Sequence, residues 1–178
     1  MRKRRLFGAL IFAVPVVLAA ATLAVAGDGG KNRFKADTLT GYQEIATIST
    51  TGTGTFEAQL QGDTITYTLT YSDLEGGTAP LFAHIHLGAR STNGGVIAFL
   101  CGGGSKPACP ASPATVTGTI AVADIIGPNA QGIEPASFDE AVRALRAGAV
   151  YANVHTTRWS GGEIRGQVND NNQRTDSE

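Results

Sequence analysis

Three histidines are the residues of this sequence best suited to chemistry. His84 and His86 sit in LFAHIHLGA (residues 81–89), His155 sits in AVYANVHT (149–156), and there is no fourth. Side chains alternate across a strand, so an H-x-H pair presents two imidazoles on one face. A third imidazole from another strand completes a trio able to bind one ion. Neutral imidazole suits copper and zinc, and three histidines with an open position form many catalytic or exchangeable metal centres. One copper or zinc ion is therefore the expected cofactor, with His84, His86 and His155 as ligands. Asn153 and Glu163 are candidates to fix the ring tautomers by hydrogen bonding. Arg165 is suited either to steering an anion towards the ion or to pairing with a carboxylate, Glu163 or Asp73. The other reading of the same residues is structural: His155 serves the loop TTRWSGGE, and the histidines form a hydrogen-bonded cluster.

The elements that must carry these side chains read as short strands. In TGTFEAQLQGDTITYTLTYS, Phe56, Ala58 and Leu60 alternate with polar residues, Gly62-Asp63 turns the chain, and Ile65, Tyr67, Leu69 and Tyr71 alternate again, which predicts a hairpin. RFKADTLTG, GGVIAFLC and ATVTGTIAVADI add further strands, and AVYANVHT with GEIRGQV makes a closing hairpin around TRWSG. Ala83, Ile85 and Leu87 form one face of the H-x-H strand. Val150, Ala152 and Val154 do the same opposite Tyr151, Asn153 and His155. Every histidine thus falls on the side away from the core, and the reading expects these rings to be partly exposed. SFDEAVRALRAGA breaks the β pattern: Ser137 and Glu140 have capping-box spacing, while Phe138, Ala141, Val142 and Leu145 recur at helical spacing. The fold class expected is all-β, an antiparallel Greek-key-like β-sandwich of seven to nine strands with one short amphipathic helix at about 137–147.

Residues 1–26 combine the basic start MRKRR, an uncharged apolar run and an AVA ending, the pattern of a cleaved secretory signal peptide, with an uncleaved membrane anchor as the alternative reading. Residues 27–33 read as a flexible leader, 34–169 as the domain, and 170–178 as a disordered tail. Four of the 14 Lys+Arg and none of the 15 Asp+Glu lie in residues 1–26, so cleavage leaves 10 against 15, a net charge of −5. That charge disfavours nucleic acid as a partner. No membrane association is expected once residues 1–26 are removed. Outside the cytoplasm, Cys101 and Cys109 in FLCGGGSKPACP read as a disulfide. Their spacing is not that of a C-x-x-C redox motif. A secreted or envelope location and a monomeric state follow as expectations.

The segments AHIHLGA…NGGVIAFLC, SFDEAVRALRAGAVYANVHT and GGEIRGQV together resemble the CHRD domain, named from chordin and widespread in secreted bacterial proteins. The resemblance covers residues 34–168. It implies an extracellular binding module with a protein or surface partner, and no established enzymatic activity for stand-alone members. FAHIHLGA and ANVHT are also similar to the copper-ligating segments of copper-zinc superoxide dismutase, another β-sandwich. By that likeness His84, His86 and His155 are copper ligands. Only three histidines are present, so a histidine-bridged copper–zinc pair is ruled out. No G-x-S-x-G, P-loop or H-E-x-x-H motif is present. The residues favour binding over catalysis. The alternatives are a degenerate dismutase-like redox enzyme and an interaction domain with structural histidines.

Overall fold

The structure is a computed structural model and describes residues 32–170. The expected signal peptide, the leader through residue 31 and the tail from residue 171 lie outside the described residues. Eight strands form: β1 Arg33–Thr40, β2 Thr53–Gln61, β3 Thr64–Ser72, β4 Phe82–Leu87, β5 Val96–Cys101, β6 Ala114–Ala121, β7 Val150–His155 and β8 Ile164–Asp170. One helix, α1 Phe138–Arg146, precedes β7. The all-β expectation holds, with strand and helix assignments close to those read from the sequence.

All eight strands belong to one antiparallel sheet in the order β5-β4-β7-β8-β1-β2-β3-β6. Three consecutive strands, β1 to β3, form a meander. The neighbours β3–β6, β4–β7 and β8–β1 are distant in sequence and supply the Greek-key-like crossovers. The sheet folds over its own apolar face until its two end strands, β5 and β6, come into contact, giving a nearly closed sandwich. Phe34, Leu39, Phe56, Ile65, Leu69, Ile85, Leu100, Ile120, Val154, Ile164 and Val168 fill the interior, each buried. Two tyrosines of β3 tie that strand across it to β5 and to the loop after β5. The Tyr67 hydroxyl donates to Leu100 O at 2.6 Å and the Tyr71 hydroxyl to Pro110 O at 2.6 Å. Each buries an aromatic body and still satisfies its polar tip.

The β2–β3 hairpin follows its sequence pattern. Buried and exposed positions alternate along both strands, and Gly62 at φ +57° makes the turn. In α1, Phe138, Ala141, Val142 and Leu145 are buried at positions i, i+3, i+4 and i+7. The helix stops where Gly148 takes φ +65°. Its start differs from the capping box expected. Ser137 makes no side-chain cap, and Glu140 pairs with Arg143 instead. The i,i+3 ion pair draws the glutamate along the helix surface, away from the N-cap.

Cys101 and Cys109 are bonded, with both residues buried at the end of β5 and in the loop that follows. Closing a loop of this length stabilises a fold by about 2–3 kcal/mol in the chain-entropy model. A Cys101→Ala/Cys109→Ala variant is expected to lose about that much in urea denaturation and to remain folded. A variant lacking cooperative unfolding would show that the sheet cannot close without the covalent link.

Candidate metal centre

The histidines meet because of strand register. Strand β7 lies between β4 and β8. Tyr151 stands opposite His86 and Gln167, Asn153 opposite His84 and Arg165, and His155 opposite Phe82. His155 is therefore the diagonal neighbour of His84, within side-chain reach on the same face. The ring centroids of His84 lie 4.5 Å from His86 and 4.4 Å from His155, and those of His86 and His155 are 6.0 Å apart. One ring nitrogen from each residue lies within 4.8 Å of the others.

The expectation of partly exposed rings is corrected. His84, His86 and His155 are 4%, 8% and 5% exposed, and every residue of β7 is buried. The alternation identified the non-core face correctly, but that face is covered by the loops at 88–95 and 156–163 and by the turn that carries Glu44. Phe82 and Phe99 pack on the His84 ring at 5.2 and 5.1 Å, and Phe82 also packs on His155.

Backbone carbonyls orient two of the rings. His86 Nδ1 is 2.9 Å from Gly94 O, and His155 Nδ1 is 2.9 Å from Ser160 O. A carbonyl only accepts, so each Nδ1 carries the proton and each Nε2 keeps its lone pair. His86 Nε2, His155 Nε2 and His84 Nδ1 are buried without a partner. The arrangement matches that of metal-ligating histidines, in which a backbone acceptor on one nitrogen fixes the other as ligand. Burial depresses all three imidazoles. It pushes His84 down to about 2, with the charges of His155 and His86 adding to the effect, and His86 to about 4 against the Gly94 hydrogen bond. Burial lowers His155 as well, with the Ser160 bond opposing. All three thus favour the neutral form, the one that ligates, and His84 and His86 keep it well below pH 7.

The residues expected to orient these rings have other partners. Glu163 is fully buried and accepts from Thr50 Oγ1 at 2.8 Å, Glu75 N–H at 2.7 Å and Gly76 N–H at 3.0 Å, pinning two loops to the end of β7. A Cβ on Gly76 would collide with Thr156 Oγ1 and the Glu163 carboxylate, so this approach requires glycine. Asn153 donates to Glu44 Oε1 and to Ile164 O. Arg165 pairs with neither Glu163 nor Asp73. Its Nη2 donates to Ala89 O and Thr92 O, and its guanidinium lies 3.4 Å over the Tyr151 ring. His86 stacks on the same ring at 4.6 Å and 3°. Because His86 comes from β4 and Arg165 from β8, they occupy opposite faces of Tyr151. At the hairpin tip, Trp159 is half-buried beneath Arg158.

Two contributors carried little sequence signal. Tyr151 was legible as a residue of the histidine face, but its place between His86 and Arg165 was not. Glu44 lies in a turn after β1 with no pattern to mark it. Burial pushes its carboxyl up to about 7, against the Asn153 hydrogen bond and the charge of Arg165.

A family model described as the CHRD domain matches residues 36–168. No curated protein and no solved structure matches the chain.

The depressed histidines make metal-free stability depend on pH. Unfolded, each imidazole takes a proton near pH 6.5; folded, each resists it. The unfolded state then binds more protons below pH 6.5, and stability falls with pH through that range towards about 4. Glu44 acts in the opposite direction between its ordinary range and about 7, but it is one group against three. Urea midpoints of metal-free protein are expected to fall between pH 7 and pH 5, and Glu44→Gln should steepen the fall. A flat or rising profile would contradict neutral buried imidazoles.

Proposed function

The chain belongs to the CHRD domain family, and we propose that it is a secreted or envelope-bound, monomeric binding module whose three histidines hold one copper or zinc ion. The observation that carries the metal reading is the convergence of His84, His86 and His155, each keeping one buried ring nitrogen without a hydrogen-bond partner. Buried polar atoms are nearly always satisfied, so three orphans in one cluster point to a missing common partner. Nitrogens at most 4.8 Å apart share a point roughly 2.8 Å from each, and closing to a zinc–nitrogen bond of about 2.0–2.1 Å needs a movement of under about 1 Å. The ion would take its three protein ligands from two rigid neighbouring strands. Its open position would suit reversible loading or a ligand from a partner. The likeness of FAHIHLGA and ANVHT to copper-ligating segments favours copper.

Two rival readings rest on the same rings. Packing of Phe82 and Phe99 against them supports a structural cluster within an interaction domain. The dismutase likeness supports a degenerate redox enzyme. The partner of the module, by family membership and the net charge of −5 after cleavage, is a protein or surface outside the cell and not nucleic acid.

Elemental analysis of protein purified without a histidine tag, followed by calorimetric titration with copper(II) and zinc, tests the site. About one equivalent is expected to bind at pH 7, with a raised melting temperature by linkage. Binding should persist below pH 6.5, because burial has already lowered the proton affinity that competes with the metal. His155→Ala should abolish binding. Because the ring is buried, that variant should also lose about 1–3 kcal/mol of stability, and a folded baseline must be shown first. Absence of binding at micromolar metal would leave the structural reading. Superoxide turnover by loaded protein would establish the enzyme reading.

A further inference from the structure

On the side of Tyr151 away from His86 lies a second polar site. Arg165 is only 2% exposed; its Nη2 is satisfied by loop carbonyls, whereas its Nη1 is buried with no partner. The residue forms part of the wall of a cavity of about 360 Å³, together with Tyr42, Glu44, Ile45, Arg90 and Gln167. Arg90 is exposed and has no ion-pair partner among the described residues. The two guanidiniums are close enough for Arg90 to oppose the charge on Arg165. Glu44 is the one acidic residue among those lining the cavity, and its Oε1 is engaged by Asn153. With Glu44 ionised, the lining carries a surplus of one positive charge.

We propose that this cavity binds a small monocarboxylate between Arg165 Nη1 and Arg90, with Tyr42 and Ile45 against its apolar part. A buried charged donor without an acceptor is unfavourable, and a carboxylate is the planar acceptor that the guanidinium fork fits. With Glu44 ionised, a single negative charge balances the local surplus, whereas the net charge of −5 left after cleavage opposes polyanions. Tyr42 and Ile45 are 67% and 40% exposed at the cavity, an apolar surface otherwise left to water. Gln167 Oε1 is a buried acceptor without a partner in the same wall. It takes a hydroxyl donor next to the carboxylate, which makes lactate a suitable probe. The site stands whether or not the histidines hold a metal, since the Tyr151 ring separates the two.

Titration of metal-free protein with lactate, followed by the Arg165 side-chain N–H resonance, tests this site. A saturable one-to-one shift is expected with a half-point in about the millimolar range. Arg90→Gln, at an exposed position with no effect on folding expected, should weaken binding by about tenfold, and sulfate should bind more weakly than lactate. No saturation by about 50 mM lactate, equal affinity in Arg90→Gln, or tighter binding of sulfate would each overturn the proposal.

Discussion

Both faces of β7 are buried, and most of the functional architecture follows from that constraint. One face presents Val150, Ala152 and Val154 to the core. The other presents Tyr151, Asn153 and His155 to a roof of loops, flanked by the histidines of β4 and by Arg165 and Gln167 of β8. A polar group left unsatisfied in such a place costs about 1–3 kcal/mol. The roof must therefore offer acceptors, and it does so through backbone. Gly94 O and Ser160 O take the histidines, Ala89 O and Thr92 O take Arg165, and Gly88 O and Gly148 O take Gln167. The loops are ordered by the same bonds that orient the side chains.

Satisfaction is nearly complete, and its failures are not scattered. Of the seven buried side-chain atoms without a partner among the described residues, five belong to His84, His86, His155, Arg165 and Gln167. Native structures tolerate such orphans chiefly where a ligand, ion or strained function uses them. The five divide at Tyr151. On one side are three unpartnered ring nitrogens, of which those of His86 and His155 keep their lone pairs; on the other are a cationic donor and an amide acceptor. The stacked order His86–Tyr151–Arg165 places the cation on the far face of Tyr151, where its charge helps to hold His86 unprotonated.

Several parts of this arrangement were readable without coordinates. Alternation identified the hairpin of β2 and β3, the two faces of β4 and β7, and the apolar stripe of α1, because each depends on a period of 2 or 3.6 within one segment. The start of α1 departs from its pattern because Ser137 and Glu140 have the spacing of a reciprocal cap, while the nearby Arg143 competes for the glutamate. The burial of the histidines departs from the pattern for a related reason. A polar face on a strand ordinarily meets water, and nothing in AVYANVHT reports that other segments fold over it.

The sequence by itself determined which residues are strand-borne, that His84 and His86 share a face, and that Cys101 and Cys109 are close enough along the chain to bond. These are local properties, set by side-chain alternation and short loop length. Only the tertiary structure decided that His155 falls diagonal to His84, that Asn153 and Glu163 serve Glu44 and the loops at 50 and 75–76, and that Arg165 turns onto Tyr151. Those outcomes depend on the register between β4 and β7, some 65 residues apart, and on loops from distant parts of the chain closing over one face. Register of that kind is chosen by the packing of the whole sheet, a sum over many non-local contacts that no single segment encodes.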